Sequence, residues 1–415
     1  MILYIDPGTG SMLFTILIGV LGTALYFLRN VFMKLKYVLS GGKTEKAADE
    51  KIPYVIFTDH KRYWNVFEPI CDEFEKRKTP LVYMTESKDD PIFGKDYRYI
   101  EARCIGEGNM AFAKLNVLNA HVVISTTPSL DVFQWKRSKD VDYYIHITHM
   151  PNDVTTYRMF GLDYYDAVLV SGVYQVEQIR KLEEMRDLPA KDIEIVGLPY
   201  MDEMKARLDK DNSKSENCKL EKTESVKNTS EDKIVLLAPS WGPSGILSKY
   251  GERFIDALID TGYKIIIRPH PQSFTSEKEM LDKLMSKYDD SSRIEWNRDN
   301  DNYEVLKKSD ILISDFSGVI FDFALVFDKS VICADTSFDK APYDAAWLDE
   351  DLWTYRVLPK LGMKLTEDSI DDIKSIIDEC IENTRYQEGR DIARQETWQH
   401  IGEGAARAVD FILSH

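Results

Sequence analysis

The chain has no CxxC pair and no even complement of cysteines: Cys71, Cys104, Cys218, Cys333 and Cys380 stand far apart. That pattern excludes a disulfide framework and a zinc knuckle, and it fits a reducing, cytoplasmic setting in which the thiols act as small apolar residues. Basic residues are in deficit too, 53 against 70 acidic for a net charge of −17, so no general affinity for nucleic-acid phosphates is expected. No repeat of solenoid length is visible, and 44% apolar, 11% aromatic and 30% charged residues exclude a wholly disordered chain. What is present is length: 415 residues ask for about two to three domains, more than one core organises.

One long apolar run exists, Met12 to Leu28, free of charge and extended by Val31 to Met33. At helical rise it covers most of a hydrocarbon core of about 30 Å. Arg29, Lys34, Lys36, Lys43 and Lys46 follow the run while only Asp6 precedes it, a bias that puts everything after it on the cytoplasmic side. A cleaved leader would need a basic start and a small-residue cleavage site, and neither is evident. The expectation is a retained single-pass anchor in the cell membrane within residues 1–40, with a helix lying in one leaflet and a buried helix of a soluble protein as the alternatives. The glycine-rich Asp6-Pro7-Gly8-Thr9-Gly10-Ser11 ahead of it lacks the ending of a phosphate loop and reads as a turn.

After a polar connector, short runs rich in β-branched and aromatic residues recur at Pro53–Phe57, Leu81–Met84, Val122–Ser125, Tyr143–Ile147, Ala167–Val170 and Ile193–Val196, with helical stretches between several of them. This alternation predicts βαβ units and a parallel sheet covered on both faces. Residues 209–233 carry almost no large apolar side chain and read as a flexible linker. Beyond it the alternation resumes with strands at Ile234–Ala238, Lys264–Arg268, Ile311–Ser314 and Val331–Ala334, and helices near Tyr250–Thr261 and Gly318–Phe327. The expected division is an anchor over 1–40, a Rossmann-like domain over 52–208, the linker, a second such domain over 234–387, and an amphipathic closing helix over 388–415. Two doubly wound sheets facing each other make a cleft at the carboxyl ends of their strands.

Three segments carry candidate chemistry. Strand Ile311–Ser314 runs through Asp315-Phe316-Ser317-Gly318 into an apolar helix; free backbone N–H groups, the helix dipole and the Ser314 and Ser317 hydroxyls would cradle phosphate oxygens. The alternative is a plain helix cap by Asp315 or Ser317 with no ligand. Ile265-Ile266-Ile267-Arg268-Pro269-His270-Pro271 ends a buried strand in a cation and a proton carrier, each held extended by the following proline. Arg268 could fork onto phosphate and His270 could donate to a developing charge. In Tyr144-Ile145-His146-Ile147-Thr148-His149-Met150-Pro151 the odd spacing sends the two histidines to opposite faces of a strand, and His149, nearer the loop, is the better general base, leaving His146 as a packed sheet residue. The acidic groups Asp89-Asp90 and Asp299-Asn300-Asp301 lie among turn formers and read as solvated loops, so no metal site is expected.

The Arg268-Pro269-His270-Pro271 segment, together with Ser314-Asp315-Phe316-Ser317 and Phe321-Asp322, resembles the CDP-glycerol glycerophosphotransferase family of teichoic-acid-type polymerases and primases. Ala238-Pro239-Ser240-Trp241 and Gly197-Leu198-Pro199-Tyr200-Met201-Asp202 extend the likeness, which covers about Val122 to Phe338. Thr148-His149-Met150-Pro151 matches the family's Trp-His-Gly-x-Pro motif only loosely, and its paired serines become Ser317-Gly318. The resemblance implies a GT-B fold, with an acceptor-side front domain and a nucleotide-donor rear domain. It also implies cofactor- and metal-independent transfer of a polyol phosphate from a CDP-activated donor to a membrane-linked polyol-phosphate or lipid acceptor. His149 and His270 would be catalytic, and Arg268, Ser314, Asp315, Ser317 and Gly318 would bind the donor phosphates. A GT-B glycosyltransferase using a nucleotide sugar, and a non-catalytic membrane-tethered binding protein on a decayed transferase fold, are the alternatives.

Overall fold

The chain builds two all-parallel sheets, each wound in the order that reverses beside its first strand. The computed structural model describes residues 51–219, 233–299, 301–335 and 339–415. In the front lobe, β1 (Ile52–Thr58), β2 (Leu81–Thr85), β3 (Ile100–Cys104), β4 (Ala120–Ser125), β5 (Val141–Ile147), β6 (Ala167–Val170) and β7 (Asp192–Ile195) are ordered β3-β2-β1-β4-β5-β6-β7. In the rear lobe, β8 (Ile234–Leu237), β9 (Lys264–Ile267), β10 (Ile294–Trp296), β11 (Ile311–Ser314), β12 (Val331–Ala334) and β13 (Gly362–Leu365) are ordered β10-β9-β8-β11-β12-β13. The direction in which successive strands are added reverses between β1 and β4 in one sheet and between β8 and β11 in the other. Doubly wound sheets open their ligand crevices at these points.

The central strands are continuous apolar runs because both of their faces are covered. Leu236, Ile266 and Leu312 enter one rear-lobe core, while their chain neighbours Val235, Leu237, Ile265, Ile267, Ile311 and Ile313 enter the core on the other side. Each such Leu or Ile contributes about 1.5–3 kcal/mol by leaving water. All ten strands expected from the sequence are present. The three that escaped it, β3, β10 and β13, lie toward or at sheet edges and are only part-buried.

Two boundaries differ from expectation. The helix Pro199–Lys219 continues well into the segment read as linker, its Arg207 and Asp211 bonded to Asp301 and Lys307 of the rear lobe. The rest of that segment lies outside the described residues. The closing helix is two helices, Gln387–Thr397 and Gly404–Leu413, separated by a turn in which His400 and Gly402 take positive φ. The second returns to the front lobe, where Ala408, Val409 and Ile412 join Phe67, Ile70 and Phe74 of the helix Trp64–Lys76 in one core. The Gly197–Asp202 motif receives this turn. Gly197 has φ +79°, and a Cβ there would lie 2.0 Å from the Gln399 carbonyl. Asp202 accepts from Trp398 Nε1 at 2.8 Å and from the N–H groups of Gly402 and Gly404 at 2.8 and 3.0 Å.

Residues Ile52–His415 form one compact unit. Asp344 of the rear lobe is buried, accepts from the N–H groups of Phe160 and Gly161 and pairs with Arg186, all of the front lobe. Among the described residues no helix is long and apolar enough to cross a membrane; the expected anchor over 1–40 lies outside them. Of the acidic groups read as solvated loops, Asp90 is instead buried, accepting from Thr85 and from the N–H of Ile92. Cys71, Cys333 and Cys380 are buried as expected, whereas Cys104 is exposed.

Candidate active site

β5 carries His149 to the carboxyl edge of the front sheet. Its Nδ1 lies 3.1 Å from Thr126 Oγ1 and 3.4 Å from the Tyr157 hydroxyl, and its ring meets that of Tyr63 edge-on at 5.1 Å. The Tyr157 hydroxyl is also 3.1 Å from His146 Nε2. Two assignments satisfy these contacts: in one, His146 Nε2–H donates to Tyr157 and both hydroxyls donate to His149 Nδ1; in the other, the one general-base catalysis calls for, Tyr157 donates to His146 and His149 Nδ1–H donates to the Tyr157 and Thr126 oxygens. The Nε2 of His149 then keeps a lone pair, as a general base requires. His146 is fully buried between the rings of Tyr157 and Tyr165, the packed sheet residue anticipated.

In the rear lobe, His270 Nδ1 accepts from the N–H of Gln272 at 3.1 Å. With Nδ1 committed as acceptor, the neutral ring carries its proton on Nε2 and is a donor there. Burial and the nearby Arg62 guanidinium lower both His149 and His270 to about 4, so both are neutral near pH 7. Glu277 opposes this at His270; the same carboxylate accepts from Gly242 N and Ser248 Oγ and so ties the loop after β8 to the His270 segment.

The phosphate cradle expected after β11 divides in two. Ser314 is buried and donates to the Ala238 carbonyl at 2.6 Å. The buried carboxylate of Asp315 accepts from the N–H groups of Ser240, Ile246 and Phe316, and burial raises its pKa. These two groups staple the loop after β8 and make the shape of the cradle. Ser317 and Gly318 are only part-buried and open the short helical segment Val319–Phe321, where their carbonyls accept from the N–H groups of Ile320 and Phe321. A Cβ on Gly318 would lie 3.0 Å from Met150 Sδ, so this turn stands directly against the residue after His149. Arg268 turns to Asn297, whose Oδ1 it meets, and Asp299, Asp301 and Asp322 share its charge. Asp322 is buried, bonded to Tyr200 and Asn302, and desolvation raises it to about 6.

The structure thus sets Gly318 against Met150, the residue after His149, and turns Ser314 and Asp315 inward to the loop after β8; the Arg62 guanidinium lies near both His149 and His270. Sequence reasoning passed over the loop after β1, Thr58-Asp59-His60-Lys61-Arg62-Tyr63. The available signal was a buried strand running straight into a polar cluster. His60 Nδ1 accepts from Arg62 N at 3.1 Å and caps the turn Lys61–Tyr63, and Lys61 is taken by Asp89.

A family model described as CDP-Glycerol:Poly(glycerophosphate) glycerophosphotransferase matches residues 114–413, and the chain belongs to that family. It is a CDP-glycerol glycerophosphotransferase-like transferase. Two structures of the wall teichoic acid polymerase TagF share the fold, one soaked with CDPG at TM-score 0.58 and 16% identity over 94% of this chain and 97% of that one. The other aligns at TM-score 0.57 and 15% identity over 93% and 97%. A UDP-GlcNAc 2-epimerase from Neisseria meningitidis, bound to UDP-GlcNAc, aligns at TM-score 0.55 and 13% identity over 88% of this chain and 100% of its own. Comparison with curated protein sequences returns no match.

Proposed function

We propose that the chain moves a glycerol-phosphate-type polyol phosphate from a CDP-activated donor to a hydroxyl of a membrane-linked cell-envelope acceptor, releasing CMP, with its catalytic lobes on the cytoplasmic side of the membrane. The acceptor oxygen attacks the distal phosphorus while the phosphoanhydride bond to CMP breaks. His149 Nε2 takes the hydroxyl proton, and His270 Nε2–H donates to the departing CMP oxygen. Ser317 and the N–H groups at Gly318 and Val319 hold non-bridging oxygens. Arg268, bonded to Asn297, adds its charge to the donor phosphates.

The observation that carries this reading is the abutment of Met150, the residue after His149, on Gly318 of the other lobe, in the turn we assign to phosphate. The apolar run at Met12–Leu28 and the basic residues after it support the membrane assignment. The test is to incubate the full chain with a panel of CDP-polyols and membrane acceptors and to follow CMP release. UDP or GDP release from nucleotide sugars instead would replace this reading with a glycosyltransferase, and tight donor binding without turnover would replace it with a binding protein.

A further inference from the structure

The rear cradle is short of positive charge. A CDP-activated donor carries its pyrophosphate charge into the cleft, yet Arg268 already shares its guanidinium with three nearby carboxylates. The cation that faces the cleft comes from the other lobe. Arg62 follows β1 at the point where the front sheet reverses, its backbone fixed by the His60 cap. Its guanidinium carbon lies 5.2 Å from the centre of the Tyr63 ring, which packs on the front-lobe core and meets the His149 ring at 5.1 Å. Among the described residues Arg62 forms no salt bridge, and its Nε is buried without a hydrogen-bond partner; its one carboxylate neighbour is Asp59, whose pKa burial raises and the Arg62 charge opposes. Its charge acts on both His149 and His270.

From this position we infer that Arg62 is a phosphate-binding residue, contacting the distal, transferred phosphoryl group of the donor across the cleft. The inference rests on the transferase reading above. Its chemistry is electrostatic: the guanidinium holds two non-bridging oxygens between the base and the leaving group, where negative charge is greatest as the phosphoryl passes. The rear lobe alone then binds the nucleotide, and the front lobe completes the site only when the lobes are together.

Calorimetry on the full chain separates this from other roles, with CMP, which lacks the distal phosphate, and CDP-glycerol as probes. Arg62→Ala should weaken CDP-glycerol by about tenfold to a hundredfold and leave CMP unchanged, which also certifies the fold. Turnover should fall about 10²–10³-fold, and Arg62→Lys should recover part of it. With Arg62 gone, Glu277 is the remaining charge near His270, and the acid limb of the rate profile should move toward higher pH. Equal weakening of CMP and CDP-glycerol overturns the proposal, as does unchanged CDP-glycerol binding with a raised acceptor KM, which would move Arg62 to the acceptor. Failure of the transferase reading has its own signature: the wild-type chain would bind CDP-glycerol no better than CMP, and this proposal would fall with it.

Discussion

The carboxylate of Asp153, in the loop that carries His149, accepts from Thr354 twice, from the backbone N–H at 2.9 Å and from the hydroxyl at 2.6 Å. The N–H of Trp353 donates to it as well, at 2.7 Å, so a front-lobe residue caps the rear-lobe helix Trp353–Leu361. Because this bond spans the lobes, Asp153→Ala should loosen the closed arrangement as well as the fold. A hydrogen bond to a charged group contributes about 1.5–3 kcal/mol, and the loss should be at least that large in urea unfolding. Turnover should fall further than CMP affinity does. Equal effects on the two would show that Asp153 matters for folding alone.

His149→Ala and His270→Ala should each reduce CMP release by about 10²–10⁴-fold. Both imidazoles are part-exposed, so circular dichroism and the unfolding midpoint near neutral pH should stay close to wild type. Activity near the wild-type level in either variant would remove that residue from the chemistry.

Both imidazoles sit at about 4 when folded against an ordinary 6.5. Between those values the unfolded chain binds more protons than the folded one, so stability must fall as pH drops through that window. The slope is at most about 1.4 kcal/mol per pH unit for each histidine, less for their part exposure. Denaturant midpoints taken across the window check the sign, and His149→Gln should flatten the curve. The same low values keep His149 competent as a base in mild acid, so an activity limb at the ordinary histidine pKa would contradict the site.

Tyr157→Phe removes the hydroxyl that stands between His146 and His149. A neutral hydrogen bond contributes about 0.5–1.5 kcal/mol, which corresponds to about twofold to tenfold in rate if it sets the His149 tautomer. The signature is a lower kcat with an unchanged donor KM. A rise in KM alone would assign Tyr157 to substrate binding.

Removal of residues 1–40 should shift the protein from the membrane pellet to the supernatant while transfer to a water-soluble acceptor analogue survives. Retention in the pellet would move the membrane contact into the catalytic lobes.

The two parallel sheets were readable because buried central strands have to be apolar on every residue, as in Ile265–Ile267 and Ile311–Ile313. β3, with Glu101 and Arg103, and the three-residue β10 pack too little surface to leave that mark. At the site, the histidines could be read because proline follows one and the other ends a strand. The division of labour among Ser314, Asp315 and Ser317 could not be read, since a hydroxyl that donates to Ala238 and one that faces a cleft look alike in sequence. Arg62 stayed hidden because its neighbours Lys61 and Asp89 pair only after β1 and β2 align.

The helix Gly404–Leu413 lies on the lobe that is synthesised first. Until that helix leaves the ribosome, Phe67, Ile70 and Phe74 lack part of their cover, so the rear lobe can finish folding while the front lobe waits. A nonsense mutation just ahead of Gly404 would therefore strike the half of the molecule that holds His149, and leave the two apolar cores of the rear sheet with all their residues.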